Sequence, residues 1–305
     1  MSTSLCALFA GTGFAFCLER LSDRERYSLE IPCVSRRVRL IRGIFIVIST
    51  AVLFGALHWA SIEQGCLETS EVQPSLAGRY WRLGFHLVLF SFLILATAID
   101  FDCYMIPDLI TVPGMLLGIA GAGLIGEAQI CHLWVDWSIA VPQLRGPFIP
   151  AWYDAHRHLH GFAWSISGLV VGAGLTWLAR IVSSRVLGQE AMGIGDVTLM
   201  GMIGSFVGWQ GVTLVFLLAP LTGLTVGVLL RTITGKTFLP YGPWLSIAAV
   251  IVLFGWQSLW QQTRLIFSDW LSVGILGAAG GFGFVILLCL VQLYKSIPTK
   301  LRPSR

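Results

Sequence analysis

The sequence predicts an all-α, polytopic membrane helix bundle, and three observations carry that prediction. Of the 305 residues, 55% are hydrophobic and only 12% are charged, whereas soluble domains usually carry about 25% charged residues. Apolar runs of about 20 residues, the length needed to cross a bilayer core, recur along the chain. The net charge of +4 is small, so membrane topology explains the basic residues better than nucleic-acid binding does.

The apolar runs indicate about nine membrane spans, of which the first and the sixth are short for a full crossing. Tryptophans fall near many of the proposed ends, where amphipathic rings favour the membrane interface. The proposed spans lie near residues 4–18, 41–61, 82–100, 107–126, 161–181, 195–208, 210–230, 242–260 and 270–294.

Three regions are expected, and the membrane part is treated as one domain because no internal repeat divides it. Residues 1–40 hold the short first span and a basic cytoplasmic loop. Residues 41–260 form one membrane domain, in which 127–160 is a long extracytoplasmic loop. Residues 261–305 add a further span and a basic tail. The amino terminus lacks the basic n-region of a signal peptide, which favours an uncleaved first span.

Orientation follows from the unequal distribution of arginine and lysine among the loops. Alternate loops are rich in these residues, and the loops between them are poor, so the positive-inside rule places the amino terminus outside and the carboxyl terminus in the cytoplasm. An odd number of spans is then required. The basic positions on the predicted cytoplasmic side are Arg20, Arg24, Arg26, Arg36, Arg37, Arg39, Arg42, Arg180, Arg185, Arg231, Lys236, Lys295, Lys300, Arg302 and Arg305.

Two acidic features end at this same predicted face. The stretch "AIDFDCYMIPD" places Asp100 at the cytoplasmic end of the third span. In "AMGIGDVTLMGMIGSFVGW", Asp196 lies where a cytoplasmic loop enters the sixth span. Gly193 and Gly195 precede it and allow unusual dihedral angles or the close approach of another backbone.

A carboxylate within a membrane segment is costly and indicates function by default. Two carboxylates that share a site repel each other, so one of them is expected to keep its proton. That asymmetry suits aspartic proteolysis, in which the ionised carboxylate activates water and the protonated one hydrogen-bonds the scissile carbonyl. The alternative is that both aspartates are helix-end residues at the water boundary.

The stretches "AIDFDCYMIPDLITVPGMLLG" and "VLGQEAMGIGDVTLMGMIGSFVGWQ" together resemble the type IV prepilin leader peptidases, which are membrane aspartic proteases of the GxGD class. A third block, "LPYGPWLSIAAVIVLFGW", resembles the stretch that follows in those enzymes. The resemblance implies an endopeptidase of the bacterial cytoplasmic (inner) membrane. Its expected partners are the lipid bilayer and the precursors of type IV pilins or type II secretion pseudopilins, cut after a glycine at the cytoplasmic face.

The resemblance also implies roles for individual residues. Asp100 and Asp196 correspond to the catalytic pair. The supporting residues are then Gly193, Gly195, Asp102, Pro107 and Asp108, and a cap at the start of the fourth span is the structural role expected of Asp108 beside Pro107.

Three departures from the family pattern stand out, and the first of them affects the expected cofactors. Many members carry two CxxC pairs linked to zinc after the first span, whereas here Cys33 stands alone in 19–40. Those enzymes also methylate the new amino terminus with S-adenosylmethionine, but Ala15 replaces an asparagine of the corresponding first-span motif. Second, Thr198 stands where many members have lysine, a change expected to alter substrate contacts. Third, the segment 127–160 is longer than in the family, and the ninth span is additional. No cofactor is expected for proteolysis, and the departures put zinc binding and methylation in question.

A histidine-rich stretch, "WYDAHRHLHG", lies in the predicted outer loop, with His132 nearby in sequence. If it were extended, His156, His158 and His160 would share one face and could hold zinc with Asp154. The alternative, a polar loop without metal, is preferred, so no metal site is predicted. A disulfide between Cys66 and Cys131 is also considered, since both fall in loops placed outside.

Two rival functions come from other classes of protein. A proton-coupled transporter also uses intramembrane carboxylates, but it would place them near the bilayer midplane with repeat symmetry. A catalytically inactive scaffold of a pilus or secretion assembly is compatible with the sequence, although both predicted catalytic aspartates are present.

Overall fold

A computed structural model of the chain describes residues 36–134, 151–188, 192–234 and 240–296, and within those ranges it contains helices and no strand. The predicted all-α membrane bundle is therefore confirmed. The helices are α1 (Arg36–His58, continued by a π-helical turn at Trp59–Glu63), α2 (Leu76–Cys103), α3 (Asp108–Ile125), α4 (Ala151–Ala155), α5 (Arg157–Leu187), α6 (Ile194–Thr234), α7 (Gly242–Phe254), α8 (Trp256–Phe267) and α9 (Trp270–Ser296).

The predicted number of nine spans is not confirmed. Counted as continuous helices, five described segments are long and apolar enough to cross a membrane, and the bent pair α7–α8 makes a sixth. The predicted first span at 4–18, most of the basic loop at 19–40 and the tail from 297 lie outside the described residues. The five segments are Gly43–Glu63, Leu76–Phe101, Asp108–Ile125, Arg157–Leu187 and Ile194–Gly223.

Helix α6 contains a reversal at Gly208, whose φ of 72° and ψ of 175° are not helical. A Cβ added to Gly172 of α5 would lie 2.4 Å from the carbonyl oxygen of Met200 and 2.8 Å from Cγ2 of Val212. In a straight helix, residues 200 and 212 would be about 18 Å apart. The chain therefore turns back at Gly208, because a residue without a Cβ tolerates this backbone conformation.

The two arms of α6, residues 194–207 and 209–234, run antiparallel and correspond to the separately predicted spans 195–208 and 210–230. The first arm packs on α5 at van der Waals closeness: a Cβ on Gly168 would lie 2.0 Å from the carbonyl oxygen of Gly204. Small residues at such crossings let backbones approach closely in a membrane. The second arm returns to the face where the first began, since the Thr222 hydroxyl donates to the Trp244 carbonyl near the start of α7 (3.1 Å).

The span predicted at 242–260 is not one continuous helix, because α7 and α8 meet at an angle of 89° around Gly255. Helix α7 has 13 residues and is about 20 Å long, which is shorter than a hydrocarbon core of about 30 Å. Helix α8 instead lies across the connections at the far face. The indole of Trp256 donates to the Ile130 carbonyl (2.9 Å), and the Gln257 amide donates to the Cys66 carbonyl (3.1 Å).

The extended conformation considered for the histidine-rich stretch is also wrong. Helix α5 begins at Arg157, so His158 and His160 point in different directions. His160 is buried and accepts a hydrogen bond from the Leu133 amide (3.1 Å), whereas His158 is exposed and donates to the Gly123 carbonyl (2.9 Å). The described residues include no group of three or more side chains arranged to hold a metal ion.

The disulfide considered between Cys66 and Cys131 is not formed, since both residues carry free, buried thiols. The Cys131 thiol donates to the Oε1 atom of Gln210 (3.3 Å). Burial raises the pKa of the Cys66 thiol to about 11. Both cysteines therefore act as protonated packing residues between the outer connections and the bundle.

Candidate active site

Asp100 lies in the last turn of α2 and is only 4% exposed. Its Oδ2 atom accepts a hydrogen bond from the backbone amide of Gly242, at the start of α7, over 3.0 Å. The helix ends three residues later at Cys103, where Tyr104 adopts a left-handed conformation with a φ of 53° and its amide donates to the Asp100 carbonyl. A contact from a distant part of the chain thus holds this carboxylate at the helix end, where the local turn at Tyr104 caps the backbone.

Asp196 lies in the first turn of α6 and is 8% exposed. Its Oδ2 atom accepts a hydrogen bond from the backbone amide of Gly193 over 3.2 Å. The amino-terminal turn of a helix favours negative charge, because its backbone N–H groups point outward without intrahelical partners. The local fold therefore provides a place for a carboxylate that is largely withdrawn from water.

Ile106 joins the two carboxylates into one site. A Cβ on Gly195, next to Asp196, would lie 3.0 Å from both the Cβ and the carbonyl oxygen of Ile106. A Cβ on Gly242 would lie 2.7 Å from Cδ1 of Ile106 and 2.5 Å from Oδ2 of Asp100. The two carboxylates are also close enough for the charge of Asp196 to interact electrostatically with Asp100. The structure thus brings together the two aspartates that the sequence predicts to share a site.

The electrostatic setting of this pair is unusual for buried acids. Among the described residues, neither carboxylate forms an ion pair with an arginine or lysine. The second oxygen of each carboxylate makes no hydrogen bond to a described residue. Two carboxylates in a partly water-excluded site, each with one oxygen fixed and one oxygen available, can share a proton and orient a water molecule.

The predicted supporting residues have different structural roles. Gly195 is required by space, because the backbone of Ile106 passes beside it, whereas a Cβ on Gly193 would meet nothing closer than 3.7 Å. Neither glycine has a positive φ, so the unusual dihedral angles considered for them are not present. Gly193 contributes its amide to Asp196 instead.

The predicted cap at Asp108 is wrong in detail. Pro107 occupies the capping position of α3, and its carbonyl accepts from the Ile110 amide (3.0 Å). Asp108 is the first helical residue, where it is exposed and its charge complements the helix dipole. The side chain of Asp102 lies outside the described residues. The Thr198 hydroxyl donates to the Gly195 carbonyl (3.1 Å).

Tyr241 and Gly242 are site residues that the sequence reasoning did not identify. Gly242 donates its amide to Asp100, and Tyr241 precedes it immediately. Burial, together with the negative charge of Asp196, raises the pKa of the Tyr241 phenol to about 12. The block "LPYGPW" carried the signal, since it follows the two aspartate motifs in the resemblance, but no residue in it is acidic or otherwise conspicuous.

A model of the type IV leader peptidase family matches residues 87–228, which include both Asp100 and Asp196. Over this part, the chain is similar to the type IV leader peptidase family. Tyr241 and Gly242 lie beyond the matched part, although the hydrogen bond to Asp100 makes Gly242 part of the same site.

Curated relatives named prepilin leader peptidase/N-methyltransferase are similar over larger parts of the chain. The Pseudomonas putida protein is 29% identical over 256 residues, which cover 77% of this chain and 76% of that protein. The Neisseria gonorrhoeae protein is 25% identical, covering 76% of this chain and 64% of its own. The Pseudomonas aeruginosa protein is 28% identical, covering 63% and 56%. The chain thus spans about half to three quarters of these relatives, and no solved structure matches.

Proposed function

We propose that this protein is a membrane aspartic endopeptidase that removes the leader of type IV pilin or type II secretion pseudopilin precursors. Asp100 and Asp196 are its catalytic pair. The observation that carries this proposal is the meeting of two buried carboxylates, from helices separated by 96 positions, around Ile106. The match of residues 87–228 to the leader peptidase family and the names of the relatives support the same reaction.

The geometry supports different roles for the two carboxylates. In the reactive form, one carboxylate is ionised and accepts a proton from the attacking water, while the other is protonated and donates a hydrogen bond to the scissile carbonyl. The proton then passes to the leaving amine as the peptide bond breaks. The amides of Gly242 and Gly193 each hold one carboxylate oxygen, so the remaining oxygens can face water and substrate.

The distribution of basic residues supports cleavage at the cytoplasmic face of the bacterial inner membrane. The site lies at the end of the bundle where α1 begins and α5 ends, and these ends carry Arg36, Arg37, Arg39, Arg180 and Arg185. By the positive-inside rule this face is cytoplasmic, which puts the amino terminus outside and the carboxyl terminus inside. A leader cut after glycine at this face is what the family resemblance implies.

Proteolysis by this pair needs no cofactor, whereas zinc binding and methylation do not fit the residues present. The relatives' names include an N-methyltransferase activity. In this chain, Cys33 is the only cysteine of the segment 19–40, and zinc sites need about four ligands. Ala15 also replaces the asparagine expected in the first span. We therefore propose that cleavage proceeds without S-adenosylmethionine-dependent methylation of the product.

The test is cleavage of a prepilin-like precursor by the full chain in membranes, comparing wild type with Asp100→Asn and Asp196→Asn. Loss of either ionisable group is expected to lower the cleavage rate by at least about a thousandfold. Asp269→Asn is the matched control, because Asp269 is fully exposed and lies on the opposite face. Leader removal and methylation of the product are scored separately by mass spectrometry.

Cleavage at wild-type rates by a folded Asp100→Asn or Asp196→Asn protein would show that the assigned pair is wrong. A wild-type protein that is inert towards several precursors would favour the scaffold alternative. Methylated product would contradict the proposed loss of methyl transfer, but the assignment of the two aspartates to cleavage would still stand.

A further inference from the structure

A polar cavity lies at the opposite end of the bundle from the two aspartates. It has a volume of about 230 Å³ and is lined by Glu71, Arg82, Glu127, Gln129, Tyr153 and Arg157, together with the connection at residues 72–74. Arg82 is 18 positions before Asp100 on α2, which corresponds to about 27 Å along the helix. This cavity is therefore separate from the candidate active site.

Part of the lining is already satisfied by contacts within the protein. Glu127 pairs with Arg157 (2.9 Å) and accepts from the Ser75 hydroxyl (2.9 Å), and the Arg157 guanidinium lies 5.7 Å from the centroid of the Tyr153 ring. The Gln129 amide donates to the Tyr153 hydroxyl (3.0 Å). These contacts hold the side chains of Glu127, Gln129, Tyr153 and Arg157 in place beside the cavity.

Three other polar atoms of the lining have no partner among the described residues: Oε2 of Glu71, Nη2 of Arg82 and Oε1 of Gln129. Each of these residues is more than nine-tenths buried, with exposures of 8%, 3% and 0%. Buried polar atoms are normally hydrogen-bonded, and leaving them without partners is costly. The remaining atoms of the same side chains are held in place, since the Trp260 indole donates to Oε1 of Glu71 (3.0 Å) and Nη1 of Arg82 donates to the Leu67 carbonyl (2.9 Å).

We propose that this cavity binds a small zwitterion that carries a primary ammonium and a phosphate, the chemistry of phosphoethanolamine. The ammonium donates to the free oxygens of Glu71 and Gln129, and the phosphate accepts from Nη2 of Arg82. The unpartnered atoms comprise two acceptors, one of them anionic, and one cationic donor, so a ligand with both charges satisfies all three. The volume is below the range of about 300–1,000 Å³ typical of sites for drug-sized ligands, which indicates a small ligand.

The ligand could come from two sources, a lipid headgroup or a free molecule, because the cavity lies at the level of the membrane interface. The cavity lies at the ends of α2, α3 and α5, beside the exposed aromatic residues Tyr80 and Trp81. Such residues mark the level of lipid headgroups. Phosphatidylethanolamine presents the group from the bilayer, and free phosphoethanolamine presents it from the aqueous side.

The experiment is calorimetric titration of the full chain in maltoside micelles with four probes: phosphoethanolamine, ethanolamine, inorganic phosphate and phosphocholine. Phosphocholine has the same charges, but its trimethylammonium lacks N–H donors. Phosphoethanolamine is expected to bind at least tenfold more tightly than each of the other probes. Equal binding of phosphocholine, or no binding of any probe, overturns the proposal and leaves the cavity to ordered water.

Variants test whether binding occurs at this cavity. Glu71→Gln keeps the acceptor for Trp260 and removes the negative charge, so it is expected to weaken phosphoethanolamine binding at least tenfold. Glu63→Gln makes the same change at an exposed position on the same face and is expected to leave binding within twofold. If Glu71→Gln does not fold, Gln129→Met replaces it as the test. If a folded variant of the cavity binds phosphoethanolamine as tightly as wild type, the ligand does not bind at this cavity and the proposal is overturned.

The source is decided by repeating the titration in lipid nanodiscs. If phosphatidylethanolamine nanodiscs abolish binding of free phosphoethanolamine while phosphatidylcholine nanodiscs preserve it, the ligand is a lipid headgroup. If both preserve it, the ligand is a free molecule. The result is independent of whether the protein cleaves prepilins, because the cavity and the candidate active site lie at opposite faces.

Discussion

The acids at the two ends of the bundle differ in their partners. At the site face, Asp100 and Asp196 are held only by backbone amides and form no ion pair with a described residue. At the outer face, acids are matched by arginines, an indole and hydroxyl groups. Glu68 pairs with Arg79, and Glu127 pairs with Arg157 and Ser75. The buried Glu71 differs from them, since one oxygen accepts from the Trp260 indole and the other has no partner among the described residues.

This contrast separates residues that stabilise the fold from the residues that we propose for catalysis. An acid whose partners are all within the protein contributes to structure, and its carboxylate is not available to water. An acid that retains a free oxygen beside a second acid is costly to the fold but can activate water. Changes at the outer face should therefore alter stability and leave cleavage intact, and changes at the site face should do the reverse.

The largest effect on stability is expected from Arg82→Met at the outer face. The substitution leaves the Leu67 and Glu127 carbonyls without their donor and should cost about 3 kcal/mol of unfolding free energy. Arg79→Met is the matched control, since its pair with Glu68 is partly exposed and is worth less than about 1 kcal/mol. Denaturant unfolding in detergent measures both. A loss of cleavage by folded Arg82→Met would break the proposed separation of the two faces.

The next effect is expected from Gly242→Ala at the site face. The new Cβ would lie 2.5 Å from Oδ2 of Asp100, so the carboxylate must move, and a displacement of about 1 Å can cost about a hundredfold in rate. The cleavage rate is expected to fall by about that factor while the unfolding midpoint stays close to wild type. Full activity would show that Asp100 is not held in a reactive position by α7.

A smaller effect is expected from Tyr241→Phe. Because the pKa of Tyr241 is raised to about 12, its phenol stays protonated and can donate a hydrogen bond throughout the pH range in which the enzyme is stable. Removal of the hydroxyl should lower the cleavage rate by about tenfold, equally at each pH. Rate measurements from pH 5 to pH 9 test this, and an effect confined to the alkaline end would show that the phenol acts by ionising.

The smallest effect is expected from Gly193→Ala. The added methyl group meets nothing closer than 3.7 Å, and the amide that donates to Asp196 is retained. Cleavage is expected to remain within about twofold of wild type, since a surface change of this kind costs little. A large loss would show that substrate passes over Gly193, which would extend the site beyond the two carboxylates.

Several of the sequence predictions depended only on local pattern, and these agree with the structure. The apolar run that ends at Asp100 corresponds to α2, and the glycine-rich string before Asp196 corresponds to the start of α6. The break between the spans predicted at 195–208 and 210–230 coincides with the turn at Gly208. Hydrophobic length and glycine position suffice for such features, because each is set by the chain's own neighbourhood.

Other predictions failed where partners from distant segments decided the outcome. The bend at Gly255 depends on carbonyls at Cys66 and Ile130, which receive the first residues of α8. The apolar run at 242–260 does not indicate that these distant carbonyls will accept hydrogen bonds from it, so the sequence predicted one uninterrupted span. The extended conformation of the histidines at 156–160 was considered but not preferred, and it does not form because α5 packs against α3 and α6 as a helix.

By itself, the sequence determined the class of fold, the family resemblance and the two aspartates that end at one membrane face, because composition and apolar length are properties of the chain alone. The tertiary structure decided how those aspartates are held. Gly242 reaches Asp100 across 142 positions, and Ile106 touches the neighbours of both acids. It also decided that Glu68 and Glu127 at the outer face pair with arginines and that the two aspartates do not pair with a described one. Such contacts exist only once distant helices pack, since the energy of a buried charge depends on whatever the fold places beside it.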